Sequence, residues 1–293
     1  MKVFLIALSF LIVFLSSCQR YKVAEEKNAV PKEQEVEKSH TVEKLQTITY
    51  KMENAKQWLL EHNTDSAGLV IALAVNRTDK LHFSRMDSVL VPTDLSLDLV
   101  HYLPFPLKVE SLKEVAKIVY FSYPTQTFAV YENGLLIHTG PTNMGSEKHQ
   151  TPTGLYFTNW KAKKTVSTVN DKWILKWNFN ILNQEGIGWH QYDLPGYPVS
   201  HSCLRLQADD AEFLYSWADQ WILADQHTIR MKGTPVIIFG KYDFRHPKPW
   251  LQLISNPQLL NISENELQEL TTPFLSEILE VQEKRKSIQI NKE

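Results

Sequence analysis

The sequence predicts a mainly β domain with helical segments on both sides of it, and three observations carry that reading. Lys117–Tyr123 (KIVYFSY) and Thr127–Tyr131 (TFAVY) are runs of β-branched and aromatic residues, which suit a pleated, packed surface. Asn133-Gly134 stands between the second run and a return strand, Leu135–Thr139, and this dipeptide favours a two-residue hairpin turn. Helical spacing of apolar residues marks Leu45 to about His62 and returns after Asp209.

Met1-Lys2 leads into an apolar run from Val3 to Leu15, shorter than the roughly 20 residues a membrane-spanning helix needs but suited to a signal-peptide core. Leu15-Ser16-Ser17-Cys18 follows, and it resembles the lipobox of bacterial lipoproteins. That resemblance implies a signal peptide over residues 1–18, with Cys18 as the lipidation site. The acyl chains would make the protein a membrane-anchored lipoprotein facing the periplasm or cell wall. Residues 19–44 are charged and almost free of aromatics, too poor in apolar surface to repay ordering, and read as a flexible tether.

Residues 45–110 read as a small helical lobe. Within it Asn76-Arg77 and Met86–Pro92 resemble the second half of a LysM glycan-binding module, the alternative being a lobe that simply packs on the neighbouring domain. The central domain is set at residues 115–241, with further strands at Gly154–Thr158 and Pro235–Gly240. Trp160, Trp173 and Trp177, set among lysines, either border a groove or pack inside the β structure. Asp209 with Glu212 has capping-box spacing ahead of a stripe of Leu214, Trp217, Ala218 and Trp221. Residues 242–293 form a helical extension, with helix starts at Ser263/Glu266 and Thr272-Pro273 and a stripe of Phe274, Ile278 and Val281.

A hydrophobic content of 43% with 11% aromatics provides a packed core. The net charge of -2, from 31 Lys+Arg against 33 Asp+Glu without a basic stripe, excludes a nucleic-acid partner. No cofactor is expected.

The chemistry concentrates in His190–Leu206 (HQYDLPGYPVSHSCLRL). Of the two cysteines, Cys18 is claimed by the leader, so Cys203 has no intramolecular partner. An unpaired thiol in an exported protein oxidises or cross-links, and beside two histidines it is a candidate nucleophile. The competing reading is a buried, inert thiol. The polar approach Ser200-His201-Ser202 and the nearby Arg205 fit an apolar pocket poorly.

Ser200-His201-Ser202-Cys203-Leu204-Arg205 resembles the Ser-His-Gly-Cys-(Ile/Val)-Arg signature of the L,D-transpeptidase (YkuD-like) catalytic domain. His190 falls where that family has its upstream histidine, and Gln150-Thr151-Pro152-Thr153-Gly154 resembles the family's Thr-Pro-Thr-Gly step. The resemblance implies a β-sandwich catalytic domain acting on peptidoglycan stem peptides. It implies that a thiolate attacks the penultimate residue of a stem tetrapeptide at the L-centre of a diamino acid, and that D-alanine leaves. An amine of a second stem, or water, would then take the acyl group; carbapenems would form a thioester at Cys203. Two features depart from the family pattern. Ser202 stands where glycine is usual, which predicts strain if that position needs a positive φ. The interval from His190 to Ser200 is also short.

A free thiol with a pKa near 8.5 is only about 3% ionised at neutral pH, so a base is needed, and His190, arriving from a separate segment, is expected to lower that pKa. His201 would share a face with Cys203 in an extended segment and is the second catalytic candidate. The N–H groups of Ser202 and Cys203 are the expected oxyanion donors. Ser200 and Arg205 serve substrate or structure, Arg205 either anchoring a carboxylate or orienting the cysteine loop. Tyr192 and Tyr197 line the groove or the core, and Asp193 reads as a local cap. His190, His201 and Cys203 are zinc-ligand types, but no His-Glu helix motif accompanies them and no metal is expected. The local signature of papain-type proteases is absent. Two rival functions are an L,D-carboxypeptidase, with water as acceptor, and a non-catalytic peptidoglycan-binding lipoprotein.

Overall fold

The computed structural model describes residues 48–246 and 248–290, all within one unit of the chain, residues 41–293. The leader, Cys18 and the tether lie outside the described residues. Among the described residues no helix is long and apolar enough to cross a membrane.

The first lobe runs β1 (Tyr50–Asn54), α1 (Ala55–Glu61), α2 (Ser66–Val75), α3 (Lys80–Phe83) and β2 (Ser88–Pro92). The helical spacing read from Leu45 onward holds only from Ala55. The Asn54 side chain accepts the Gln57 N–H and so fixes the helix start. The residues before it pair antiparallel with β2, Tyr50 opposite Pro92, so a tertiary partner decides their conformation. Asn76 ties the two halves of the lobe: its side-chain amide donates to the carbonyls of Ala72 and Leu90, and its oxygen accepts from the Leu90 N–H. Trp58, Phe83, Val89 and Val91 fill the space between helices and ribbon.

The central domain follows as β3 (Ile118–Ser122), β4 (Thr127–Glu132), β5 (Leu135–Pro141), β6 (Gly154–Phe157), β7 (Lys161–Val166), β8 (Ile174–Leu182), β9 (Ile187–Gln191), β10 (Leu204–Leu206), α4 (Ala208–Trp217), β11 (Ile222–Leu223), β12 (Ile229–Met231) and β13 (Pro235–Phe239). Five strands form a sheet in the order β5-β4-β3-β13-β6, with β13 parallel to β3 and the other neighbours antiparallel. Asn133 and Gly134 both have positive φ, 47° and 78°, as the hairpin turn requires. A second sheet, β10-β9-β8-β7, packs its Phe179, Trp189 and Leu204 against Val119, Phe121, Phe128 and Val236 of the first.

The period-2 alternation gives the five-stranded sheet a second apolar face of Ile118, Tyr120, Tyr131, Ile237 and Phe239. The C-terminal extension covers it through α5 (Glu264–Thr271) and α6 (Leu275–Ile290), with Leu267 and Ile278 in the interface, while a 3-10 segment (Pro249–Ile254) adds Trp250 and Leu253 to the other core, that of Phe121 and Trp189. Ser263 caps α5 by accepting the Glu266 N–H, at the start read from the sequence. The start read at Asp209 shifts: Gln207 precedes α4, no side chain caps it, and Asp210 instead binds His138 at 2.8 Å. The chain turns extended at Ala218, so Trp221 lies beyond the helix.

Candidate active site

On β9 the buried Trp189 points into the core against Phe121 and Phe179, so Gly188 and His190 share the opposite face. β10 runs parallel beside it, with Leu204 opposite Trp189 and Arg205 opposite His190. Cys203, immediately before β10, therefore lies beside Gly188, whose backbone N–H favours the thiolate. A side chain at Gly188 would place its Cβ 2.2 Å from the Phe179 carbonyl oxygen, which explains the glycine. Cys203, His190, His201, Ser200 and Arg205 line one pocket, with Tyr192, Val169, Trp173 and Leu175 completing its wall.

Hydrogen bonds hold the loop that delivers the thiol. Ser200 Oγ donates to the Cys203 carbonyl at 2.5 Å, and the Ser200 N–H donates to the Met144 carbonyl. Ser202 has φ 71°, the left-handed conformation expected for a position where glycine is usual. Its hydroxyl donates to the His149 carbonyl at 3.1 Å and its carbonyl accepts from Thr151 Oγ1 at 3.0 Å, contacts that offset the strain. Thr151 is the first residue of the Thr-Pro-Thr-Gly step, and its hydroxyl also accepts the Gly145 N–H. That step is therefore a brace for the cysteine loop. The fully buried Asn143 is a second brace: its backbone exchanges both bonds with Arg205, and its side-chain oxygen accepts the Gly196 N–H.

His190 Nδ1 lies 3.1 Å from the Gln191 carbonyl, which can only accept, so in the neutral ring Nδ1 carries the proton and Nε2 the lone pair. Burial lowers the His190 pKa to about 4 and pushes the Cys203 thiol above its ordinary 9.0. Gly188 and the Arg205 charge pull the thiol pKa down, and burial outweighs them. Burial thus favours the neutral thiol and the neutral imidazole in the resting pair. The sulfur lies 4.0 Å from the Gly186 carbonyl oxygen and makes no hydrogen bond to His190.

His201 is exposed and stacks on His149 with ring centroids 4.5 Å apart, while Trp173 approaches its other side at 5.2 Å. Partial burial lowers its pKa, with His149 and Arg205 adding to the effect. Arg205 lies over the Tyr192 ring at 4.6 Å and donates through Nη1 to the Asp193 carbonyl at 3.3 Å. Asp193 thus contributes its backbone, and its carboxylate makes no hydrogen bond to a described residue. Tyr197 is 43% exposed and does not line the pocket. Trp173 takes the groove position anticipated for the tryptophans, whereas Trp177 packs on Tyr215 and Trp160 bonds Asn183. His149 and Asn143 escaped the sequence reading, since neither belongs to the cysteine motif and only the fold brings them to it. Among the described residues no group of three His, Cys, Asp or Glu side chains is placed to hold a metal ion.

The pocket encloses about 30 Å³, room for about two water molecules. Ser167, Val169 and Trp173, at the tip between β7 and β8, form part of its wall.

No curated protein matches the chain. Among solved structures it is similar to an L,D-transpeptidase from Stackebrandtia nassauensis, with 24% identity over 43% of this chain and 57% of that one and a TM-score of 0.35. It is similar to one from Mycobacterium smegmatis at 19% identity, covering 43% and 59% of the two chains with a TM-score of 0.35. A third, from Mycobacterium tuberculosis H37Rv, gives 22% identity, 43% and 58% coverage and a TM-score of 0.34. Less than two thirds of each of those chains is spanned, and at that overlap they add nothing to the assignment. What carries more is a match to a family model that runs from β3 into β13 and contains the thiol, both histidines and the brace at Thr151. Residues 116–238 of this chain match the model of the YkuD family, the L,D-transpeptidase catalytic domain.

Proposed function

We propose that the chain is a peptidoglycan L,D-transpeptidase with Cys203 as nucleophile and His190 as its base. One juxtaposition supports this reading: inside the matched domain, a lone thiol and a neutral imidazole with a free Nε2 lone pair face the same pocket. Proton transfer in the resting pair is uphill, so the proton moves to Nε2 as sulfur attacks the penultimate carbonyl of a stem tetrapeptide. The C–S bond forms, and the N–H groups of Ser202 and Cys203, which have no partner outside the β9–β10 ladder, receive the oxyanion. Collapse expels D-alanine, whose amine takes the proton from His190. The amine of a second stem then attacks the thioester, a peptide bond forms and the thiol is regenerated. Arg205, with Nη1 engaged at Asp193, orients the cysteine strand opposite His190.

The test is mass spectrometry of disaccharide tetrapeptides incubated with the full-length chain. Cross-linked dimers and free D-alanine are expected, and neither with Cys203→Ser. Products from that variant would sink the assignment.

The same reading places the protein on a membrane through acylated Cys18, facing the periplasm or cell wall. Its support is the lipobox-like Leu15–Cys18 alone. Cys18→Ala is expected to move the protein from the membrane fraction to the soluble one, and unchanged partition would contradict the anchor.

A further inference from the structure

Outside the thiol pocket, one charged group is buried without a counter-charge. Arg77, just past the end of α2, is 1% exposed, and no carboxylate pairs with it among the described residues. Its Nε donates to the Thr125 carbonyl at 2.7 Å, and Nη1 donates to the Ala74 and Val75 carbonyls at 2.8 Å each. A guanidinium has five N–H donors. The two on Nη2 thus make no hydrogen bond to a described residue. The guanidinium carbon lies 5.3 Å from the centre of the Trp250 ring.

Arg77 also lines a cavity of about 60 Å³ between β1, the 99–104 turn and the segment following the 3-10 helix. The buried Tyr50 lines the same cavity, and its hydroxyl bonds no described residue. Tyr102, also on the wall, is already engaged, donating to the Asp94 carbonyl and accepting from the Leu97 N–H. A buried cation is costly unless an opposite charge compensates it, and burial here lowers the Arg77 pKa to about 9.

We propose that this cavity is a binding site for a small carboxylate, whose two oxygens accept from Arg77 Nη2 and the Tyr50 hydroxyl. Size and donor number both favour that class. About 60 Å³ takes about four water-sized groups, and acetate has four heavy atoms. Arg77 Nη2 and the Tyr50 hydroxyl offer three donors to the two oxygens of a carboxylate. The inference is independent of the transpeptidase reading, since none of these residues belongs to the thiol pocket.

Saturation-transfer NMR on the methyl group of acetate, titrated into the full-length chain at neutral pH, tests the site. The expected result is a saturable signal that equal concentrations of chloride or inorganic phosphate reduce by less than half. Arg77→Met is expected to abolish it. Tyr50→Phe, which removes one oxygen and keeps the test open should Arg77→Met not fold, is expected to weaken binding about tenfold. No saturable signal, phosphate displacing acetate, or undiminished affinity in Tyr50→Phe would each overturn the proposal.

Discussion

The two large sheets differ in what they bury. The central strands β3, β4 and β13 are apolar on both faces, one packed on the second sheet and the other on the C-terminal extension. The sheet β10-β9-β8-β7 is apolar on one face only, through Phe179, Trp189 and Leu204, and presents His190 and the Cys203 loop on the other. The first sheet is fixed by burial. The working face of the second is held by directed hydrogen bonds from Ser200, Thr151 and Asn143. Changes in one should therefore appear as lost stability, and changes in the other as lost chemistry.

Cys203→Ser separates the two most sharply, with turnover on tetrapeptide stems falling at least about a thousandfold. Its unfolding free energy, read from urea titration, should stay within about 1 kcal/mol of wild type. Phe121→Ala does the reverse. Emptying a fully buried ring between the sheets is expected to cost about 3–5 kcal/mol, while acylation per folded molecule is retained.

His190 belongs to both sides of the comparison, because its burial is read in stability as well as in chemistry. Its folded pKa, about 4, lies below the ordinary 6.5, so as pH falls between those values the unfolded chain takes a proton that the folded one refuses. The stabilisation is complete above 6.5 and lost toward 4, by roughly 3 kcal/mol in total. Unfolding free energies measured across that window should show a shallower acid limb in His190→Gln. The smallest effect belongs to Ser202. Ser202→Ala keeps the left-handed strain and loses the bond to His149, a cost of about 1 kcal/mol, whereas Ser202→Gly trades strain against that bond and should come out more stable than the alanine variant.

The same contrast explains what could be read from sequence. β3, β4 and β13 announce themselves through runs such as Ile118–Phe121 and Val236–Phe239, because strands buried on both faces are compositionally distinct. β7, reading KAKKTV, carries no such mark, and its strand character comes from pairing with β8. β1 is hidden in the same way, as residues that look helical until Asn54 caps α1 and β2 offers an edge. In the site, the Cys203 motif, His190 and Thr151 were legible because they are contiguous or recognisable steps. The stacking of His149 on His201 and the brace at Asn143 depend on segments more than 50 residues apart meeting in space. The elevated thiol pKa was also hidden, since motif spacing does not disclose how far Cys203 and His190 are desolvated.

The central claim is that a neutral, buried His190 takes the proton from Cys203 during attack. It is tested most directly by the rate of thioester formation with imipenem, followed by intact mass at neutral pH in wild type, Cys203→Ser, His190→Ala and His201→Ala. The account predicts an adduct on Cys203 in wild type, none in Cys203→Ser, a rate at least about a hundredfold lower in His190→Ala, and a smaller loss in His201→Ala. Acylation of His190→Ala at the wild-type rate, or an adduct on Cys203→Ser, would contradict it.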